Sequence, residues 1–78
     1  MAERITLFLY GKETCHLCHD MWADVQLFAQ KNAYALELVW QDIEDHPDLE
    51  VRYGLRIPVL TTPDEQVICE GRLDAAAL

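Results

Sequence analysis

Ile5-Thr6-Leu7-Phe8-Leu9-Tyr10-Gly11-Lys12-Glu13-Thr14-Cys15-His16-Leu17-Cys18 is the stretch on which the fold turns. Its first six residues are apolar on both alternating faces, interrupted only by Thr6. A strand covered on both sides has this pattern, so Ile5 to Tyr10 belongs at the centre of a sheet. Gly11 to Thr14 makes a connection, and from Cys15 or His16 the pattern turns helical. Leu17, Cys18, Met21, Trp22, Val25, Phe28 and Ala29 recur at three- and four-residue steps, with His19, Asp20, Asp24, Gln26 and Gln30 on the opposite face. The spacing predicts a helix to about Lys31, stopped at Asn32.

Cys15 and Cys18 therefore open a helix directly after a central strand. Three helical steps rise about 4.5 Å, which lies within the Cα separation of ~4.4–6.8 Å that a disulfide tolerates. A bridge between them closes too short a loop to stabilise the chain appreciably, so the pair points to chemistry or metal. Cys69 brings the count to three, an odd number that excludes a disulfide scaffold. A helix N-terminus offers unpaired N–H groups and a partial positive charge, both of which favour a thiolate. Lys12 and a protonated His16 push the same way, while Glu13 and Asp20 oppose. Cys15 lies at the helix start, facing solvent, whereas Cys18 belongs to the apolar stripe. That asymmetry makes Cys15 the attacking sulfur and Cys18 the resolving one.

Ala35 to Gln41 alternates as a half-covered strand. His46-Pro47 starts a short helix, with Asp48 and Glu50 near its positive end and Gly54 stopping it. Ile57-Pro58-Val59-Leu60 is a short apolar run, Thr62 to Glu65 a turn, and Gln66 to Glu70 a strand. Gly71 precedes a stub helix from Asp74 to Leu78. The order is βαβαββα: a parallel pair joined by a right-handed crossover, then a hairpin from Leu60 to Gln66. A mixed four-stranded sheet flanked by helices follows, with a very short C-terminal helix.

At 78 residues, the chain is one domain over 1–78, and 51% apolar residues predict a folded globule. No apolar run approaches the ~20 residues of a membrane helix. The N-terminus lacks the shape of a secretory signal, and a cytoplasmic monomer is expected. Fourteen acids against six Lys and Arg give a net charge of −8. That charge disfavours nucleic acid and anionic lipid and favours basic partner surfaces.

These segments resemble the thioredoxin-like superfamily, and within it the small glutaredoxin-like proteins. The resemblance runs through Tyr10 to Cys18, then Asp42-Ile43-Glu44-Asp45 with Pro47, then Tyr53-Gly54-Leu55-Arg56-Ile57-Pro58-Val59-Leu60, then Gly71. It implies a thioredoxin fold and thiol–disulfide exchange between the Cys15/Cys18 pair and protein or small-thiol substrates. It implies a cis Ile57–Pro58 bond against the cysteine motif, with the backbone of Ile57 offered to substrate. Lys12 matches a lysine that glutaredoxins place near the glutathione carboxylate; His16 and Leu17 lie between the cysteines at the substrate site. Typical glutaredoxins carry Pro where His16 stands, and Gly-Gly followed by acids where this chain has Gly71-Arg72-Leu73-Asp74. Gly71 and Asp74 are the remnants of that glutathione subsite, so glutathione is expected to react but to bind weakly. No cofactor is expected beyond the cysteine pair itself. The expected partners are protein dithiols or disulfides and a reductase.

Other readings compete. Cys15 to His19 also spells C-x-x-C-H, a haem-attachment pattern, although His46 is the sole candidate for a distal ligand. Cys15 and Cys18 with His16 or His19 could bind zinc or a soft ion, with Cys69 as a remote fourth ligand, but no second ligand pair is present at short spacing. A third reading is an interaction module that kept the fold without the chemistry. Cys69, Trp22 and Trp40 read as core residues, and the acidic run from Asp42 to Glu50 as a solvated loop and helix start.

Overall fold

The computed structural model describes residues 4–74 and 77. Its elements are β1 (Arg4–Gly11), α1 (His16–Lys31), β2 (Ala35–Asp42), α2 (Pro47–Tyr53), β3 (Val59–Thr61) and β4 (Val67–Glu70). The strands form one sheet in the order β2-β1-β3-β4. β1 runs parallel to β2, from Arg4 opposite Ala35 to Gly11 opposite Asp42, and antiparallel to β3, with Leu9 opposite Leu60. It is thus central, as the run from Ile5 to Tyr10 predicts.

The two apolar faces of β1 serve two cores. Leu7 and Leu9 pack with Met21 and Val25 of α1, and with Leu60 and Cys69 of the neighbouring strands. On the opposite face Tyr10 packs with Ile43, Tyr53 and Val59, with Phe8 beside them. The rings of Tyr10 and Tyr53 lie 4.6 Å apart, which joins α2 to the sheet. Two ion pairs fasten the same helix region to the β3–β4 hairpin: Arg52 to Glu65 at 3.0 Å and Arg56 to Glu70 at 2.6 Å.

β2 is an edge strand. Leu36, Leu38 and Trp40 are half-buried against the α1-side core while Glu37 is exposed, which is the predicted half-covering. α1 ends as expected, with the Asn32 N–H and side-chain amide both donating to the Phe28 carbonyl. One strand start differs from the sequence pattern by more than a single residue. β3 begins at Val59, two residues later than the apolar run, because Pro58 has no N–H to place in a ladder. The Pro58 carbonyl instead accepts from the Gly71 N–H at 2.7 Å. The stub helix expected over 74–78 falls largely outside the described residues; Ala77 N–H donates to the Asp74 carbonyl at 3.0 Å. No described helix is long and apolar enough to cross a membrane.

Candidate active site

The site begins where β1 ends. A Cβ on Gly11 would stand 2.7 Å from Cys18 Sγ, 2.9 Å from Cys18 Cβ and 3.3 Å from Trp40 Cη2. Only glycine leaves room there for the cysteine to enter the core. Past it, the Lys12 carbonyl accepts the Cys15 N–H at 3.0 Å and turns the chain into α1. Cys15 is the N-cap residue, with extended backbone angles of φ −93° and ψ 109°. Its sulfur accepts the Cys18 N–H at 3.2 Å, the role usually taken by a serine or aspartate oxygen.

The two thiols are free and differ in environment. Cys15 is half-buried, while Cys18 is wholly enclosed at 0% exposure. Burial, and after it the hydrogen bond with Cys15, push the Cys18 thiol up to about 12, against a smaller lowering from a backbone hydrogen bond at Lys12. Cys69 is also buried; burial raises its thiol against a hydrogen bond from the Asp74 backbone that lowers it. A thiol must ionise and be reached before it is alkylated. Iodoacetamide at pH 8 is therefore expected to modify Cys15 at least about tenfold faster than Cys18 or Cys69. Fragment mass spectra taken over time would check this, and equal labelling of Cys15 and Cys18 would contradict the burial split.

The other predicted site residues divide into two groups. Pro58 is buried, its bond with Ile57 is cis, and Gly71 at φ 75° reaches its carbonyl. Leu17 and Gly71 line a shallow cleft of about 160 Å³ together with Asp20, Asp24 and Arg72. His16 and Leu17 are both exposed. The second group is engaged elsewhere. The Ile57 N–H donates to the Tyr53 carbonyl at 3.0 Å, the Asp74 backbone lies at the Cys69 thiol, and Lys12 Nζ stands 3.5 Å from Glu50 Oε1.

Sequence reasoning missed two features. Glu50 reads as a helix-start acid, yet α2 carries it to Lys12. His19 reads as helix surface, yet its Nε2 lies 2.6 Å from the Glu13 carbonyl and its ring stacks on Trp40 at 5.3 Å. Trp40 in turn meets Trp22 edge-on at 5.8 Å. The available signal was the spacing of His19 and Trp22 on one helix, which places them on adjacent turns. Among the described residues no three Cys, His, Asp or Glu side chains converge as a metal-ligand set. An apolar hollow lined by Ile5, Val25, Phe28 and Tyr34 lies at the far end of α1, away from the cysteines.

Protein Ne2328 from Nitrosomonas europaea, solved by NMR, superposes with a TM-score of 0.83 and 31% identity, over 99% of this chain and 89% of that one. The X-ray structure of target protein XcR50 from X. campestris is 34% identical, with a TM-score of 0.69, over 91% of this chain and 87% of that one. Thioredoxin 1 from Thermosipho africanus is 15% identical with a TM-score of 0.50, over 90% and 79% of the two chains, and shares the fold alone. No curated protein sequence matches the chain. Residues 6–78 match the family model described as glutaredoxin-like domain (DUF836). A thioredoxin-like sheet, a cysteine pair at the start of its first helix and that match over nearly the whole chain together place this protein in the glutaredoxin-like domain (DUF836) family.

Proposed function

We propose that the protein is a thiol–disulfide oxidoreductase working through Cys15 and Cys18. The observation that carries this reading is the burial split across one helical turn: a half-buried Cys15 sulfur at the helix start and an enclosed Cys18 below it. The Cys15 thiolate attacks one sulfur of a substrate disulfide. A new sulfur–sulfur bond forms, the old one breaks, and the departing sulfur takes the electron pair and then a proton. Cys18 gives up its proton and attacks Cys15 in the mixed disulfide. The Cys15–Cys18 bond forms, the substrate leaves fully reduced, and the protein has lost two electrons. The Cys18 N–H supplies a donor to the Cys15 sulfur whenever that sulfur carries negative charge as nucleophile or leaving group.

Deep burial suits Cys18 to resolving and not to attack, because the sulfur within its reach is that of Cys15, which it strikes once Cys15 is bonded to the substrate. Protein disulfides are the substrates, and a reductase or a small thiol such as glutathione returns the electrons. No cofactor enters besides the cysteine pair. Trapping tests the roles. Cys18→Ser is expected to accumulate a mixed disulfide with a disulfide-bonded substrate peptide, visible as an adduct of the peptide's mass, and Cys15→Ser to accumulate none. Equal trapping by the two variants would reverse or erase the assignment. No adduct with either would remove the exchange reading.

A further inference from the structure

Of the lysines and arginines, Lys12 is the closest in sequence to Cys15, and its own carbonyl anchors the Cys15 N–H. Its charge is already answered inside the fold: Nζ lies 3.5 Å from Glu50 Oε1, with both side chains partly exposed. The backbone that carries Glu50 is held firmly. Tyr53, one turn on, is buried against Tyr10, and the Glu50 carbonyl accepts the Gly54 N–H at 2.8 Å. The Arg52–Glu65 and Arg56–Glu70 pairs fasten the same segment to the β3–β4 hairpin. Glu50 is therefore presented to the loop before Cys15 by an anchored helix.

We infer that Glu50, by neutralising Lys12, sets the charge preference of the Cys15 site against anionic disulfides and toward neutral or basic ones. This rests on the exchange reaction proposed above. With Lys12 paired, an anionic substrate approaching Cys15 meets no free positive charge on that loop, while Glu13 and a net charge of −8 repel it. A basic disulfide-containing peptide meets the opposite field. Glu50 acts through Lys12 and is a positioning residue, touching no reacting atom. At the distances and high dielectric of a protein rim, one unit charge changes an encounter by about two- to threefold, and salt screens the effect.

The test uses the reduced protein and three small disulfides of similar size: dianionic dithiodipropionate, neutral hydroxyethyl disulfide and dicationic cystamine. In each reaction Cys15 forms the mixed disulfide and releases one small thiol. Cys18 then closes the protein disulfide and releases the second thiol. Rates are measured at low and high salt for wild type, Glu50→Gln and Lys12→Gln. Wild type is expected to react faster with cystamine than with dithiodipropionate. In Glu50→Gln the anion-to-cation rate ratio should rise about fivefold, and in Lys12→Gln it should fall. High salt should shrink both shifts.

A ratio unchanged within about twofold in both variants would overturn the inference while leaving the exchange reading intact. A uniform change in all three rates for Glu50→Gln would also overturn it, since a merely structural defect does not sort substrates by charge. Failure of wild type to react with any of the three would remove the exchange reading and this inference with it.

Discussion

Leu9→Ala is expected to lower the free energy of unfolding by about 3–5 kcal/mol. Leu9 has no exposed surface, stands mid-strand in β1 between Trp40 and Leu60, and faces Met21 and Val25 of α1. Truncation removes its transfer energy and leaves a cavity that paired strands on both sides prevent from collapsing. A domain of this size holds roughly 4–12 kcal/mol in total, so the variant should sit near the edge of folding. Its midpoint should fall by upwards of about 15 °C. Urea unfolding followed by tryptophan fluorescence measures the loss. Leu55→Ala is the control, because Leu55 is fully exposed at 104% and its truncation should stay within about 0.5 kcal/mol of neutral. A Leu9 loss no larger than that of Leu55 would show that β1 is not the shared centre of the two cores.

Gly11→Ala is expected to damage stability and chemistry together. The added methyl would lie 2.7 Å from Cys18 Sγ and 2.9 Å from its Cβ, both closer than any real carbon contact. Cys18 cannot yield easily, since its N–H is bound to the Cys15 sulfur and its side chain is enclosed. Overpacking of this kind costs about 1–3 kcal/mol. Moving Cys18 also lengthens its path to Cys15, so exchange should slow by roughly tenfold or more, in keeping with the sensitivity of such steps to small misplacements. Gly71→Ala is the contrast. It meets nothing within 4 Å and suffers only from its positive φ of 75°, about 1–2 kcal/mol, with no clash against Cys18. Urea unfolding and a disulfide-reduction assay on both variants separate the two cases. A Gly11→Ala protein that exchanges at the wild-type rate would mean that Cys18 is not held against the end of β1.

Both experiments bear on how local pattern became a site. The double-sided apolar run from Ile5 to Tyr10 announced a central strand because side chains alternate faces along any strand, whatever surrounds it. Cys18 was legible as the enclosed thiol because it shares a helical stripe with Met21, Val25 and Ala29, which are also buried. Pro58 was legible as a special position from its missing N–H. The start of β3 was not, since the apolar letters of Ile57 and Pro58 match a strand even where the ladder has no donor. His19 illustrates a different failure. It lies on the polar side of its helix by period alone, but the parallel pairing of β1 with β2 sets Trp40 opposite Leu9 and brings the indole over it.

The sequence by itself determined the order of the elements from β1 to β4, the central strand, the one-turn spacing of Cys15 and Cys18 and the difference in their burial. All of these follow from periodicities of two and 3.6 residues, which are properties of neighbouring letters. Only the tertiary structure decided that Glu50 answers Lys12, that the Gly71 N–H is spent on the Pro58 carbonyl, and that Trp40 closes over Gly11 and His19. Each of those contacts joins residues far apart in the chain. Period tells which face a residue occupies, but strand register and the seating of a helix on the sheet decide what that face meets.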